Sequence, residues 1–296
     1  MKNGKNLLLI YNTEAGKTPL AQMLDGLLKE LYDLGFTVTV CPVGGSRDPQ
    51  ELLRSQGDRY DVAACVGGDG TLHYTVNTLL ELERPPLLGY LPAGSTNDFA
   101  ATLGLTGDLK QGCRRLAQGE ARPLDIGDFC GQKFCYVAAF GIFTDVSYSA
   151  SREMKNLLGH FAYILEGVRR LDLFQSWHAR IRVDGQELED DFWYGSVTNA
   201  TSVGGFSFPA AGEVRLDDGR FEVLLVRRPR SLLEVHELVT HLGRQDFSSE
   251  HLRFFRASQV EFLFDREVPW TLDGEFGGSV PRAAVQVLPG AVRLLV

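Results

Sequence analysis

At 296 residues the chain exceeds the usual size of one compact domain, and two domains with separate cores are expected. Hydrophobic residues at 44% and charged residues at 23% exclude a disordered chain. A net charge of −8 disfavours nucleic acid as a partner, because the average field repels a phosphate backbone; any membrane contact must be apolar or locally basic.

The N-terminal lysines Lys2 and Lys5 precede an apolar segment, Leu7 to Tyr11, that is too short for a signal sequence. No apolar run approaches the roughly 20 residues of a membrane-crossing helix, so a cytoplasmic protein is expected. Cys41, Cys65, Cys113, Cys130 and Cys135 show no CxxC pair and read as reduced, structural residues.

Taken in order, Leu7 to Tyr11 predicts a first strand. Thr18-Pro19 supplies an N-cap and a proline at the first helical position, and Leu20, Leu24, Leu27, Leu31 and Leu34 form one apolar stripe ending at Gly35. Phe36 to Val40 predicts a second strand. Asp48-Pro49 with Glu51 opens a short helix, Asp61 to Val66 predicts a buried third strand, and Leu87 to Leu91 a fourth. Short apolar runs alternating with helical periodicity mark a parallel sheet with crossover helices. The first domain, 1–123, is therefore expected to be a doubly wound, three-layer α/β domain.

After about residue 125 the runs become short and alternating, as in an antiparallel sandwich. The predicted strands are Cys135 to Phe140, His178 to Val183, Trp193 to Val197, Phe221 to Val226, Val260 to Phe264 and Val285 to Leu288. Two helices are expected among them, Ser151 to Leu173 and Leu232 to Leu242. The second domain, 124–296, is read as a β-sandwich whose last residues could return to the first domain.

Chemistry concentrates in Gly67-Gly68-Asp69-Gly70-Thr71, between a buried strand and a helix expected from Leu72. Three glycines allow a tight turn and close approach to phosphate oxygens, and amides at a helix start favour anions. The acid Asp69 suits such a loop when a magnesium ion lies between it and a triphosphate. A second block, Pro92-Ala93-Gly94-Ser95-Thr96-Asn97-Asp98-Phe99-Ala100, repeats the arrangement: strand end, glycine, hydroxyls, helix start near Asn97. Asp98 adds another acid at a strand's carboxyl end, where open α/β sheets bind ligands.

Neither block has Walker A or GxGxxG spacing. With Asn12-x-x-x-Gly16-Lys17 after the first strand, GGDGT at 67–71 and PAGSTNDFA at 92–100, the chain resembles the diacylglycerol, sphingosine and ceramide kinase superfamily, and within it the bacterial diacylglycerol kinase-like enzymes. NAD kinases share the GGDGT element. The resemblance implies ATP as donor, bound by Asn12, Gly16, Lys17, Gly67, Gly68, Asp69, Gly70, Thr71, Leu72, His73, Gly94, Ser95 and Asn97. It implies a catalytic magnesium ion held through water by Asp69, Asp98, Asp125 and Glu275. In Asp273-Gly274-Glu275 either acid could be the base that takes the acceptor's proton. A second, structural magnesium ion is implied at Asp218 with the carbonyls of Arg215 and Arg220.

Asp-Gly is also a favoured hairpin turn, and Asp184-Gly185 is read as only that. Two positions depart from the family pattern: Thr13 replaces the usual proline, and Tyr74 stands where many members carry glutamate. The expected activity is an ATP-dependent lipid kinase acting on a lipid hydroxyl at the membrane surface, such as that of diacylglycerol. An NAD kinase-like phosphotransferase and a catalytically weakened lipid- or nucleotide-binding regulator remain alternatives, and a homodimer is left open.

Overall fold

The computed structural model describes residues 4–12, 20–44, 48–94, 97–141, 175–203, 206–207, 214–244, 246 and 248–296. The chain divides into two units, Met1–Asp125 together with Pro289–Val296, and Ile126–Leu288. The helix expected over Ser151 to Leu173 lies outside the described residues.

In the first unit, β1 (Lys5–Asn12), β2 (Phe36–Val43), β3 (Val62–Gly67) and β4 (Leu87–Pro92) form a parallel sheet in the order β2-β1-β3-β4. Parallel strands covered on both faces read as unbroken apolar runs, and Leu7 to Ile10 and Val62 to Val66 are fully buried. Leu7, Leu9, Val62, Ala64 and Val66 pack with Leu27 and Leu31 of α1 (Leu20–Asp33). Helix α2 (Pro49–Gln56) packs on α3 (Asp69–Leu79), and α3 packs on β3 and β1. After α4 (Asp98–Thr102), α5 (Leu109–Gln118) adds Cys113 and Leu116 to the α1 face. Sequence reasoning passed over α5, whose apolar stripe is only three residues wide; the signal was Asp108, whose carboxylate accepts from the amides of Lys110 (2.9 Å) and Gln111 (3.3 Å).

The second unit is a β-sandwich of antiparallel strands. Strand β5 (Ala121–Phe129) leads into it, followed by β6 (Gln132–Phe134), β7 (Val137–Gly141), β8 (Trp177–Val183) and β9 (Gln186–Thr198). The short pair β10 (Ser202–Val203) and β11 (Phe206–Ser207) precedes β12 (Phe221–Arg227), α6 (Leu232–Gly243), β13 (Leu252–Ala257), β14 (Gln259–Leu272) and β15 (Glu275–Leu295). Strands run in the order β13-β12-β9-β7-β14-β15, and β9 and β14 each pair with β8 along their first halves and with β7 along their second. The end of β15 belongs to the first unit, where Leu294 pairs with Leu88 in parallel.

Strands β9, β14 and β15 run longer than their apolar cores suggested. In β9 the extension is charged residues matched across the ladder to β8: Arg182 opposite Glu187, Arg180 opposite Glu189, and His178 opposite Asp191. The interior is aromatic. The ring of Phe140 lies 6.1 Å from that of Trp177, 5.8 Å from Phe262, 5.1 Å from Phe264 and 4.9 Å from Trp270. Phe140 fits because its cross-strand partner is Gly195, where a β-carbon would stand 2.2 Å from the ring. Gly195→Ala is therefore expected to overpack this core and cost about 1–3 kcal/mol, read as a lowered urea midpoint with an unchanged slope.

Candidate active site

Parallel register brings the carboxyl ends of the first unit's strands to one edge. Tyr11 pairs with Val66 and Gly67 with Pro92, so Asn12, the end of β1, lies at the same edge as the glycine loop and the PAG loop. The order β2-β1-β3-β4 places the topological switch point between β1 and β3, where such sheets take ligands. Gly16, Lys17, Ser95 and Thr96 lie outside the described residues.

Helix α3 begins at Asp69, three residues earlier than expected from the sequence, so Asp69, Gly70 and Thr71 form its first turn with Gly68 as N-cap. The amides of Thr71 and Leu72 donate to the Gly68 carbonyl at 3.1 and 3.2 Å. Leu72 is fully buried, and His73 follows half-buried on the same helix. The two loops are pinned together by main chain. Ala93 donates its amide to Gly67 O at 2.9 Å, and a β-carbon on Gly94 would stand 2.4 Å from the Gly68 α-carbon. Asn97, with φ +54, brackets Gly94 with both ends of its amide: Oδ1 accepts from Gly94 N (3.0 Å) and Nδ2 donates to Gly94 O (2.9 Å).

Asp69 reaches across to the second loop. Its carboxylate accepts from the amides of Asp98 at 3.0 Å and Phe99 at 3.3 Å, the first two of α4. It thereby caps a helix whose own N-cap makes no side-chain bond to its amides, and it sets half-buried Asp69 against the main chain of half-buried Asp98. Asp125 is fully buried and accepts from Gly290 N at 2.7 Å, tying the chain's last segment to the first unit.

In the second unit, Asp273 and Gly274 have φ +51 and +88 and form the two-residue turn between β14 and β15. The Asp273 carboxylate, in a residue only 5% exposed, accepts three main-chain amides: Cys135 (2.7 Å), Tyr136 (2.9 Å) and Val137 (3.1 Å). Glu275 is exposed, and among the described residues no hydrogen bond or ion pair engages it. Phe276 beside it is 58% exposed.

Asp218 accepts from Arg220 N at 3.0 Å and from the Arg256 guanidinium at 2.7 Å. Its charge is thus already matched by a cation of the chain, and Arg215, exposed, pairs with Asp217 at 3.3 Å. The same guanidinium lies 3.4 Å from Glu222, a 1% exposed residue whose carboxyl burial pushes up to about 7. Sequence reasoning missed Glu222, whose one signal is an acid at an inward position of an apolar strand.

It also missed what Tyr74 does. One turn into α3, its half-buried hydroxyl donates to Asp48, whose Oδ1 caps α2 by accepting from Gln50 N at 3.0 Å. Burial and the neighbouring acid hold the phenol well above its usual range, so it remains a donor. The Tyr74 hydrogen bond, followed by the Gln50 amide, holds the Asp48 carboxyl below the usual carboxylate range.

Comparison with known proteins follows the two units. Residues 6–129 match the diacylglycerol kinase catalytic domain, and residues 137–296 match the YegS C-terminal NAD kinase β-sandwich-like domain. The chain is 30% identical over 282 residues to a diacylglycerol kinase of Bacillus subtilis (strain 168), covering 94% of this chain and 92% of that one. It is 30% identical over 283 residues to a diacylglycerol kinase of Staphylococcus carnosus (strain TM300), covering 94% and 90%. The solved structure of a diacylglycerol kinase from Bacillus anthracis str. Sterne superposes with a TM-score of 0.75 at 21% identity, covering 100% of this chain and 98% of that one, and shares the fold.

Two outcomes are expected of this geometry. Asp69→Ala should uncap α4 and cost about 1 kcal/mol in denaturant unfolding, whereas Asp69→Asn, which keeps one acceptor, should cost less. Tyr74→Phe should remove the largest cause of the Asp48 shift. A lowered folded-state value stabilises above the unfolded carboxyl's pKa of about 3.9 and is lost as pH falls through the folded value. The difference in thermal midpoint between wild type and Tyr74→Phe should therefore be full near neutral pH and shrink below about pH 4.

Proposed function

Since the chain belongs to the diacylglycerol kinase family, we propose that it transfers the γ-phosphate of ATP to a lipid hydroxyl, such as that of diacylglycerol. The observation that carries this reading is the main-chain seating of the GGDGT loop on the PAG loop, braced by Asp69 and Asn97. Glycines at 67, 68, 70 and 94 leave that strand edge without side-chain bulk, which suits a polyphosphate approaching backbone amides.

Asp69, Asp98 and Asp125 would hold the magnesium ion. Their hard carboxylate oxygens suit the ion, and each Asp69 oxygen that accepts an amide retains a second lone pair. When bound, the ion neutralises phosphate charge during transfer. At Asp218 the Arg256 guanidinium already supplies the positive charge, so the residues do not fit a second ion there and no step is assigned to one.

Glu275 takes the acceptor's proton. As the lipid oxygen bonds to the γ-phosphorus, the O–H proton passes to the Glu275 carboxylate, and the bond to the β–γ bridging oxygen breaks to release ADP. The exposed, unengaged carboxylate of Glu275 supports this role, while the Asp273 oxygens are occupied by three amides. Phe276 offers apolar surface beside the base for a lipid acceptor. No helix among the described residues is long and apolar enough to cross a membrane, which is consistent with a cytoplasmic enzyme that visits the membrane surface.

The test is incubation of the full chain with magnesium, γ-labelled ATP and mixed phospholipid and diacylglycerol vesicles. Label should enter the organic extract, and Glu275→Gln should lower kcat about 10²–10⁴-fold. Label that stays in water with NAD as acceptor would instead identify a dinucleotide kinase.

A further inference from the structure

Two Asp-Gly turns of the second unit are built alike. In the β8–β9 turn, Asp184 and Gly185 have φ +42 and +88; in the β14–β15 turn, Asp273 and Gly274 have φ +51 and +88. Asp184 donates its amide to Gln259 O at 3.1 Å, the first residue of the adjoining strand β14. Its carboxylate accepts from the amides of that same Gln259 at 3.0 Å and of the preceding Ser258 at 3.2 Å. Asp273 donates its amide to Val137 O at 2.8 Å, the first residue of the adjoining strand β7. Its carboxylate accepts from the amides of Val137 at 3.1 Å and the preceding Tyr136 at 2.9 Å.

Each main-chain bond of the Asp184 turn thus has its counterpart at Asp273, and the Ser258 hydroxyl adds one more to Asp184 at 3.1 Å. The difference is that Asp184 is exposed, whereas Asp273 is buried and takes a third amide, from Cys135 at 2.7 Å. At Asp184 the arrangement fastens a hairpin to its neighbouring strand. We infer that Asp273 is a positioning residue: it clasps the β14–β15 turn to the start of β7 and so fixes the direction in which Glu275 points.

This inference rests on the lipid kinase reading for its functional half, and on main-chain geometry alone for its structural half. The start of β7 is itself anchored, because the Tyr136 carbonyl accepts from the Thr198 hydroxyl at 2.6 Å and from Asn199 N at 2.9 Å. The clasp therefore ties the turn to β9 through β7. A carboxylate offers about four acceptor sites, and three amides occupy most of them. Glu275, two residues on and bound by no such network among the described residues, carries the proton while Asp273 holds its position.

The experiment compares full-length Asp273→Asn, Glu275→Gln and Asp184→Asn by lipid kinase kinetics and by amide hydrogen exchange. Asp273→Asn should lower kcat roughly tenfold to a hundredfold with KM for ATP unchanged. Glu275→Gln should lower kcat about 10²–10⁴-fold, and Asp184→Asn should leave kcat unchanged. In exchange, Asp273→Asn should speed the amides of Cys135, Tyr136 and Val137, as Asp184→Asn speeds those of Ser258 and Gln259. Unchanged exchange at 135–137, or an unchanged kcat in Asp273→Asn, would overturn the proposal. If wild type labels no lipid, the kinase reading fails while the exchange arm still decides the clasp. For an Asp273→Asn protein that does not fold, Asp273→Glu supplies the same readouts, because it keeps the charge and displaces the turn.

Discussion

The contact on which the first unit's site depends is between two glycines. Gly68 and Gly94 approach so closely that a single β-carbon on Gly94 would stand 2.4 Å from the Gly68 α-carbon. With that approach, the Gly67 carbonyl can receive Ala93 N, and Asp69 can reach the amides of Asp98 and Phe99. The strain this requires is local: Asn97 adopts a left-handed backbone, which asparagine tolerates better than most residues, and its amide closes on Gly94 from both sides. The two motifs most visible in the sequence are therefore one structural object. Each supplies what the other lacks, since α4 has no side-chain cap of its own and the glycine loop has no side-chain bulk to hold its partner.

In the second unit the same economy appears in the hairpins. An aspartate in the first position of a two-residue turn costs little there, because aspartate enters the left-handed region readily, and its carboxylate is then free to bind the adjoining strand. Used at the surface by Asp184, the device steadies a hairpin; used in the interior by Asp273, it steadies the hairpin that presents Glu275. Burial strengthens it, since amide hydrogen bonds to a charged acceptor gain when water is excluded.

Much of this was legible in advance where local chemistry and tertiary need coincide. Continuous apolar runs located the parallel strands, Asp48-Pro49 located α2, and the glycine motifs located the phosphate-loop candidates. The reading fell short where partners far along the chain decide the outcome. The N-terminal half of β9 is charged, and only its register against Arg180 and Arg182 makes it a strand. Strand β13, Leu252–Ala257, lacks a strict period-2 pattern in its LRFFRA sequence and gained its place by pairing with β12. The helix after the first motif starts at Asp69 because Gly68 caps it through its carbonyl, which no side-chain signal announces. Likewise the DG dipeptide at 273 is a turn by local propensity, and only the meeting of residues 135–137 with its carboxylate separates the work of Asp273 from that of Glu275.

Tyr74 shows how a departure from a family pattern can be matched elsewhere in the chain. A glutamate at 74 would bring a second negative charge toward Asp48 and could not donate to it while ionised. The tyrosine hydroxyl, kept protonated by burial and by the acid it faces, donates to the carboxylate that caps α2. The phenol thus links the helix that follows the glycine loop to the helix that follows β2, at the edge where phosphates are expected to bind. Where the family pattern has an acid, this chain has a donor with its partner in place. In this chain α2 is held by α3 through a hydrogen bond that persists across the pH range where Asp48 is ionised.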